Sequence, residues 1–219
     1  MARNSSRNRI NAGLTSALVV AMSVTASAHR RDEYLQATRI AVEPDRVQVE
    51  LDLTAGISVA EAVSRDIDRD GSGVISGDEA RRYATAVVKA VRLDVDRRPL
   101  QVELINVTVP ELGAIRNGEG VIRLELSARL PALAAGAHQI FFLNAHRADI
   151  GVYLANALAP VNPRIAIVAQ RRDVAQREIT IDYALTASSV TGARMLLPLG
   201  ALVVLSLAAF GWMRERPTL

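Results

Sequence analysis

Residues 46–54 read RVQVELDLT, and this stretch decides the fold class. Val47, Val49, Leu51 and Leu53 alternate with Gln48, Glu50 and Asp52, a period of two that puts one face of a β-strand in a core and the other in water. Upstream lies a second β-rich run, YLQATRIAV at 34–42. Glu43-Pro44-Asp45 separates the two with turn chemistry, so the pair reads as a hairpin. From residue 100 the pattern returns as six more runs: LQVELINVTV, VIRLELSARL, HQIFFLNAH, VYLANALA, RIAIVAQ and REITIDYAL. Pro110, Asn117-Gly118-Glu119-Gly120, Pro131, Gly136, Pro160 and Pro163 punctuate them, and Asn117-Gly118-Glu119-Gly120 reads as a hairpin turn. Eight short strands with Gly/Pro breaks predict an antiparallel β-sandwich of immunoglobulin-like type, with a barrel as the alternative that periodicity does not separate.

The chain of 219 residues has no cysteine, which excludes a disulfide scaffold, thiol catalysis and thiolate zinc sites. Its formal charge is +3, but the excess sits at the ends: residues 29–213 hold 21 basic and 22 acidic side chains. The body is near neutral, and three His and eight aromatic residues offer little for base stacking, so a nucleic-acid partner is not expected. Every basic residue but Lys89 is Arg, a usage that fits a GC-rich bacterial source.

The two ends predict the compartment. Arg3, Arg7 and Arg9 precede an uncharged stretch from Ile10 to Ala26-Ser27-Ala28, which has the form of a signal peptide over 1–28 with an A-x-A site and a mature start at His29; an uncleaved anchor is the alternative. Residues 195–213 form a second uncharged apolar stretch between Arg194 and Arg214. At 1.5 Å per residue it nearly crosses a hydrocarbon core of roughly 30 Å. Trp212 suits an interface, and Arg214 and Arg216 in the tail 214–219 suit the cytoplasmic side. The expectation is one extracytoplasmic domain, 29–185, a polar linker, 186–194, and a single transmembrane helix, which places the domain in the periplasm or outside the cell.

Residues 57–92 break the β pattern. Ser58 and Glu61 have capping-box spacing, as do Ser76 and Glu79; Val59, Val63 and Ile67 follow the first, and Tyr83, Val87 and Val91 the second, at helical spacing. Between the two helices lies 68–79, DRDGSGVISGDE. Asp68, Asp70, Ser72, Gly73, Ile75 and Glu79 fall in phase with the EF-hand loop, and the segment resembles that superfamily over 57–92. The resemblance implies a Ca²⁺ site. Asp68, Asp70 and Ser72 would supply oxygens from positions 1, 3 and 5, Val74 its carbonyl, Ser76 a ligand directly or through water, and Glu79 two oxygens. Gly73 would allow the sharp turn.

The expected partner hand is missing. Asp94-Val95-Asp96 begins a similar run but puts Arg98, Pro99 and Ile105 where ligands and the turn glycine belong. Either the hand pairs with another molecule's, or Ile75 docks on the chain's own β-domain, which is the preferred reading. A lone loop of this kind implies weak binding, roughly 10⁻⁴–10⁻³ M, and a structural ion. His29 with His138 or His146 would be a weaker copper site, and His146, Arg147 and Asp149 read as a solvated loop. There is no G-x-S-x-G, H-E-x-x-H, P-loop or G-x-G-x-x-G motif, so an enzyme is not expected. Three functions stay open: a calcium-binding, membrane-tethered periplasmic module whose β-domain meets an unknown protein partner, an accessory domain of an envelope transporter or enzyme, and a copper- or acid-dependent enzyme.

Overall fold

The computed structural model describes residues 32–187, and the segments expected to be signal peptide, transmembrane helix and cytoplasmic tail lie outside them. Among the described residues no helix is long and apolar enough to cross a membrane. The fold is mainly β. The strands are β1 (Tyr34–Val42), β2 (Arg46–Ala55), β3 (Val91–Val95), β4 (Arg98–Pro99), β5 (Glu103–Thr108), β6 (Val121–Arg129), β7 (Gly136–Asn144), β8 (Gly151–Ala157), β9 (Ile165–Arg172) and β10 (Glu178–Leu185). The helices are α1 (Ile57–Ile67), α2 (Gly77–Lys89) and the short α3 (Leu112–Arg116).

The strands form two five-stranded sheets, ordered β5-β6-β2-β1-β8 and β4-β3-β7-β10-β9. All eight runs read from the sequence are strands, and β1 and β2 form the expected hairpin, in register from Tyr34↔Ala55 to Val42↔Val47. Val47, Val49, Leu51, Leu53 and Ala55 are buried on the inner face of β2. Each fully buried Val or Leu contributes about 1.5–3 kcal/mol. On the outer face Arg39 bonds Glu50 and Asp52, and Arg123 bonds Asp52. Arg39 thereby relieves Glu50, which faces Glu125 across the β2–β6 register.

Four expectations are corrected. The sandwich is not wholly antiparallel: β1 runs parallel to β8, a long-range pairing that local periodicity does not encode. Ser58 does not cap α1. Its N-cap is Gly56, and the Ser58 hydroxyl donates instead to Asp32 Oδ1 at 2.6 Å. The helical segment ends at Lys89, so Val91 and Arg92 belong to β3, paired with β7. Asn117-Gly118-Glu119-Gly120 is not a tight hairpin turn but follows α3 within the longer β5–β6 connection.

The hand is also less detachable than an insertion implies. Ala60, Val63 and Ile67 of α1 and Tyr83, Ala84 and Val87 of α2 belong to the same buried cluster as Leu51, Leu93 and Phe142 of the sheets. Helices and strands share one core.

Candidate metal centre

α1 runs straight out of β2 and stops at Asp68, whose backbone leaves the helical region while its N–H still bonds the Ser64 carbonyl. α2 starts at Ser76 with a complete capping box. The Ser76 hydroxyl accepts from the Glu79 N–H at 3.3 Å, and Glu79 Oε2 accepts from the Ser76 N–H at 3.0 Å. This box fixes the last candidate ligand on the first turn of a helix that is itself locked into the core.

The loop between is organised by its own carboxylates. Asp68 accepts from the N–H groups of Ser72 and Gly73 at 3.1 and 3.0 Å, and Asp70 accepts from Ser72 at 2.9 Å. Glu79 Oε1 reaches back to the Arg69 N–H at 2.9 Å, closing the loop across its ends. Gly71 and Gly73 sit at φ +69° and +81°, left-handed conformations that a side chain would strain.

These turns bring the carboxylates of Asp68, Asp70 and Glu79 together, one oxygen from each lying within 4.8 Å of the others. Two oxygens on opposite sides of an ion with bonds of 2.3–2.6 Å are about 5 Å apart, so the cluster has the span of a hard-cation site. The oxygen-only donors also fit calcium or magnesium rather than a soft metal. Backbone donation from Ser76 holds the Glu79 carboxyl below its usual range, and donation from Ser72 does the same for Asp70, so both are anionic at neutral pH.

The other sequence-predicted ligands are placed less directly. The Val74 carbonyl accepts from the Ser72 hydroxyl at 3.1 Å, while its side chain is 73% exposed, as a backbone ligand allows. The Ser76 hydroxyl donates to Glu79 Oε2 at 2.8 Å as well as capping α2, a position that suits a ligand acting through water. Ile75 is partly buried against the core cluster that the two helices share with the sheets.

A second constellation escaped the sequence reading. Tyr83, one helical turn beyond Glu79, bonds the Tyr34 hydroxyl and stands 3.1 Å from His146 Nε2. Around it, Gln36 and Tyr153 donate to the His146 carbonyl at 2.7 and 2.8 Å, and Asn144 Oδ1 accepts from the His146 N–H at 2.9 Å. His146 is therefore no solvated loop residue. Burial pushes its pKa down to about 4, so the ring is neutral, and burial pushes the Tyr83 hydroxyl up. Next to it Arg147 bonds Asp66, near the end of α1, and Asp149. Both helices that bracket the loop are thus tied to one turn of the β-domain. No sequence spacing joins Tyr34, Tyr83 and His146.

His138 is spoken for as well. Its Nδ1 pairs with Asp96 at 2.8 Å and its Nε2 with the Ala134 carbonyl at 2.8 Å, contacts that raise its pKa. Both ring nitrogens of His138 are therefore taken, His146 Nε2 is paired with Tyr83, and His29, the first member of the copper site considered above, lies outside the described residues. No family model matches the chain, and no curated protein does.

Proposed function

We propose that this chain is a calcium-binding, membrane-anchored extracytoplasmic protein in which a single EF-hand holds a structural Ca²⁺ and an immunoglobulin-like β-sandwich meets a protein partner. The observation that carries the reading is the convergence of the Asp68, Asp70 and Glu79 carboxylates within 4.8 Å, at loop positions 1, 3 and 12. The packing of Ile75 on the chain's own core supports a hand that works without a partner hand. Two sheets with separate edge strands favour a sandwich over a closed barrel. The anchoring rests on the uncharged stretch 195–213 and the A-x-A site at 26–28.

The ion's role in this reading is to join the end of α1 to the start of α2. Asp68, Asp70 and Glu79 would hold it with carboxylate oxygens, and Val74 with its carbonyl. Because Ca²⁺ binds the folded form, it stabilises by RT ln(1 + [L]/Kd), about 1.4 kcal/mol at ten times Kd. In a domain of this size that raises the melting temperature by about 3–6 °C. Melting in excess calcium and in EGTA tests this. A rise with calcium, with the β signature in circular dichroism unchanged by EGTA, is expected; identical melting in both would refute the calcium reading.

A further inference from the structure

The end of the β6–β7 loop hangs on one side chain. The loop is tied at its start, where the Leu130 N–H donates to the Asp45 carbonyl at 2.8 Å. Among the described residues, 131–135 make no backbone–backbone hydrogen bond. Leu133 rests partly buried on the core, and the Ala134 carbonyl accepts from His138 Nε2 at 2.8 Å. Gly136 follows at φ +148°, a conformation open to glycine, with nothing packed where a side chain would stand. Ala134 and Ala135 thus lie between a hydrophobic anchor and a permissive glycine, held by one polar contact.

The geometry around His138 sets its charge. Nδ1 lies 2.8 Å from Asp96 Oδ2 and Nε2 faces the Ala134 carbonyl, and both of these oxygens only accept. A neutral imidazole has one N–H and fills one of the two contacts; the imidazolium fills both. Asp96 is a fixed partner. It sits in the β3–β4 turn at φ +48°, and its other oxygen accepts from the Gln139 N–H at 2.9 Å. Burial opposes its charge, but donation from His138 and Gln139, with Arg98 nearby, holds the carboxyl below its usual range. The other groups around the ring add no charge. Tyr183 of β10 lies against it with ring centroids 5.6 Å apart, and burial pushes the Tyr183 hydroxyl up to about 12, so it stays neutral. Asp182 belongs to the other face of β10, paired with Arg171 and Gln139. The loop itself, LPALAA over 130–135, is uncharged.

We propose that His138 is a protonation latch: as imidazolium it clamps the end of the β6–β7 loop to the β3–β4 turn, and on losing its proton it lets Ala134 and Ala135 go. The neutral ring keeps its single N–H for the anionic Asp96, the stronger acceptor. Nε2 then turns a lone pair toward the Ala134 carbonyl, and the segment loses its one polar anchor. Leu133 still holds the middle of the loop, so the release is local. Donation to Ala134, and then to Asp96, raises the His138 pKa against the opposition of burial. The latch therefore holds in acid and opens as pH rises above the ordinary histidine range. It needs neither calcium nor a membrane, and involves no residue of loop 68–79.

Hydrogen–deuterium exchange of the full chain at about pH 6 and about pH 9, corrected for the intrinsic rate, tests this. The amides of 134–136 should exchange about tenfold faster or more at the higher pH, the loss of one charge-assisted hydrogen bond, while β2 stays protected at both. In His138→Gln they should exchange fast throughout. Asp96→Asn keeps an acceptor but removes the charge, so the change should move to lower pH. Exchange at 134–136 that is independent of pH in the natural chain, or a transition left in place by Asp96→Asn, would overturn the latch. Both results are read in proteins that keep His138, so they stand even where His138→Gln unfolds. A pH response that persists in folded His138→Gln would overturn it as well.

Discussion

Replacing Tyr83 with Phe tests the buried contact that ties the hand to the sheets. The substitution keeps the ring in the core and removes one oxygen. That oxygen is the only hydrogen-bond partner of the Tyr34 hydroxyl and of His146 Nε2 among the described residues. Tyr34 is 0% and His146 8% exposed, so water does not readily replace it. Leaving a buried polar group unpaired costs about 1–3 kcal/mol, and two such groups give a loss of about 3 kcal/mol. For a domain of this length that lowers the melting temperature by roughly 10 °C. Tyr34→Phe removes only one end of the chain of contacts, since Tyr83 keeps His146, and should cost about 1 kcal/mol. The double variant should cost less than the sum of the two, because Tyr34 no longer has a hydroxyl to orphan. Urea unfolding of the three variants measures this, with the slope against denaturant held constant as evidence that only the folded state changed. Equal losses for Tyr83→Phe and Tyr34→Phe, or strict additivity, would refute the assigned network.

Acid should act through His146. Its folded pKa of about 4 lies below the unfolded value near 6.5, so the unfolded chain binds the extra proton first, and about 3 kcal/mol of stability present above pH 6.5 is lost as pH falls to 4. An NMR titration should show the His146 ring unprotonated at pH 5.5, and a midpoint near 6.5 would contradict its burial. His138, with its pKa raised, has the opposite sign: its contribution is present in acid and fades as pH rises through its folded value. Ile67→Ala on α1 should destabilise the whole domain by about 2–5 kcal/mol in a single transition. Separate helix and sheet transitions would show that the hand folds on its own.

Local patterns made the strands legible, and the loop as well. Alternation in RVQVELDLT found β2, and Glu43-Pro44-Asp45 found its hairpin, because both signals lie within a few residues. In the loop, the Ser76–Glu79 box was readable because the cap and its reciprocal acceptor are three residues apart. Where a distant group competed, the same reasoning failed. Ser58 and Glu61 have identical spacing, yet Asp32, 26 residues away, takes the Ser58 hydroxyl, and β2 delivers the chain to α1 at Gly56. Val91 satisfied two periods at once, four residues beyond Val87 on a helix face and first in β3, and pairing with Asn144 decided between them. The parallel β1–β8 pair and the Tyr34–Tyr83–His146 contact join residues far apart in the chain, and hydrophobic periodicity carries no information about such meetings.

The calcium site proposed in loop 68–79, closed by Glu79, is put to the test by isothermal titration of the chain and of Glu79→Gln. Gln keeps the length of the side chain and one oxygen for the Ser76 N–H, but it cannot chelate with two carboxylate oxygens. The expected result is one calcium per chain, a dissociation constant on the order of 10⁻⁴–10⁻³ M, and loss of most of that affinity in the variant. No binding by the natural chain, or equal affinity in the two proteins, would contradict it.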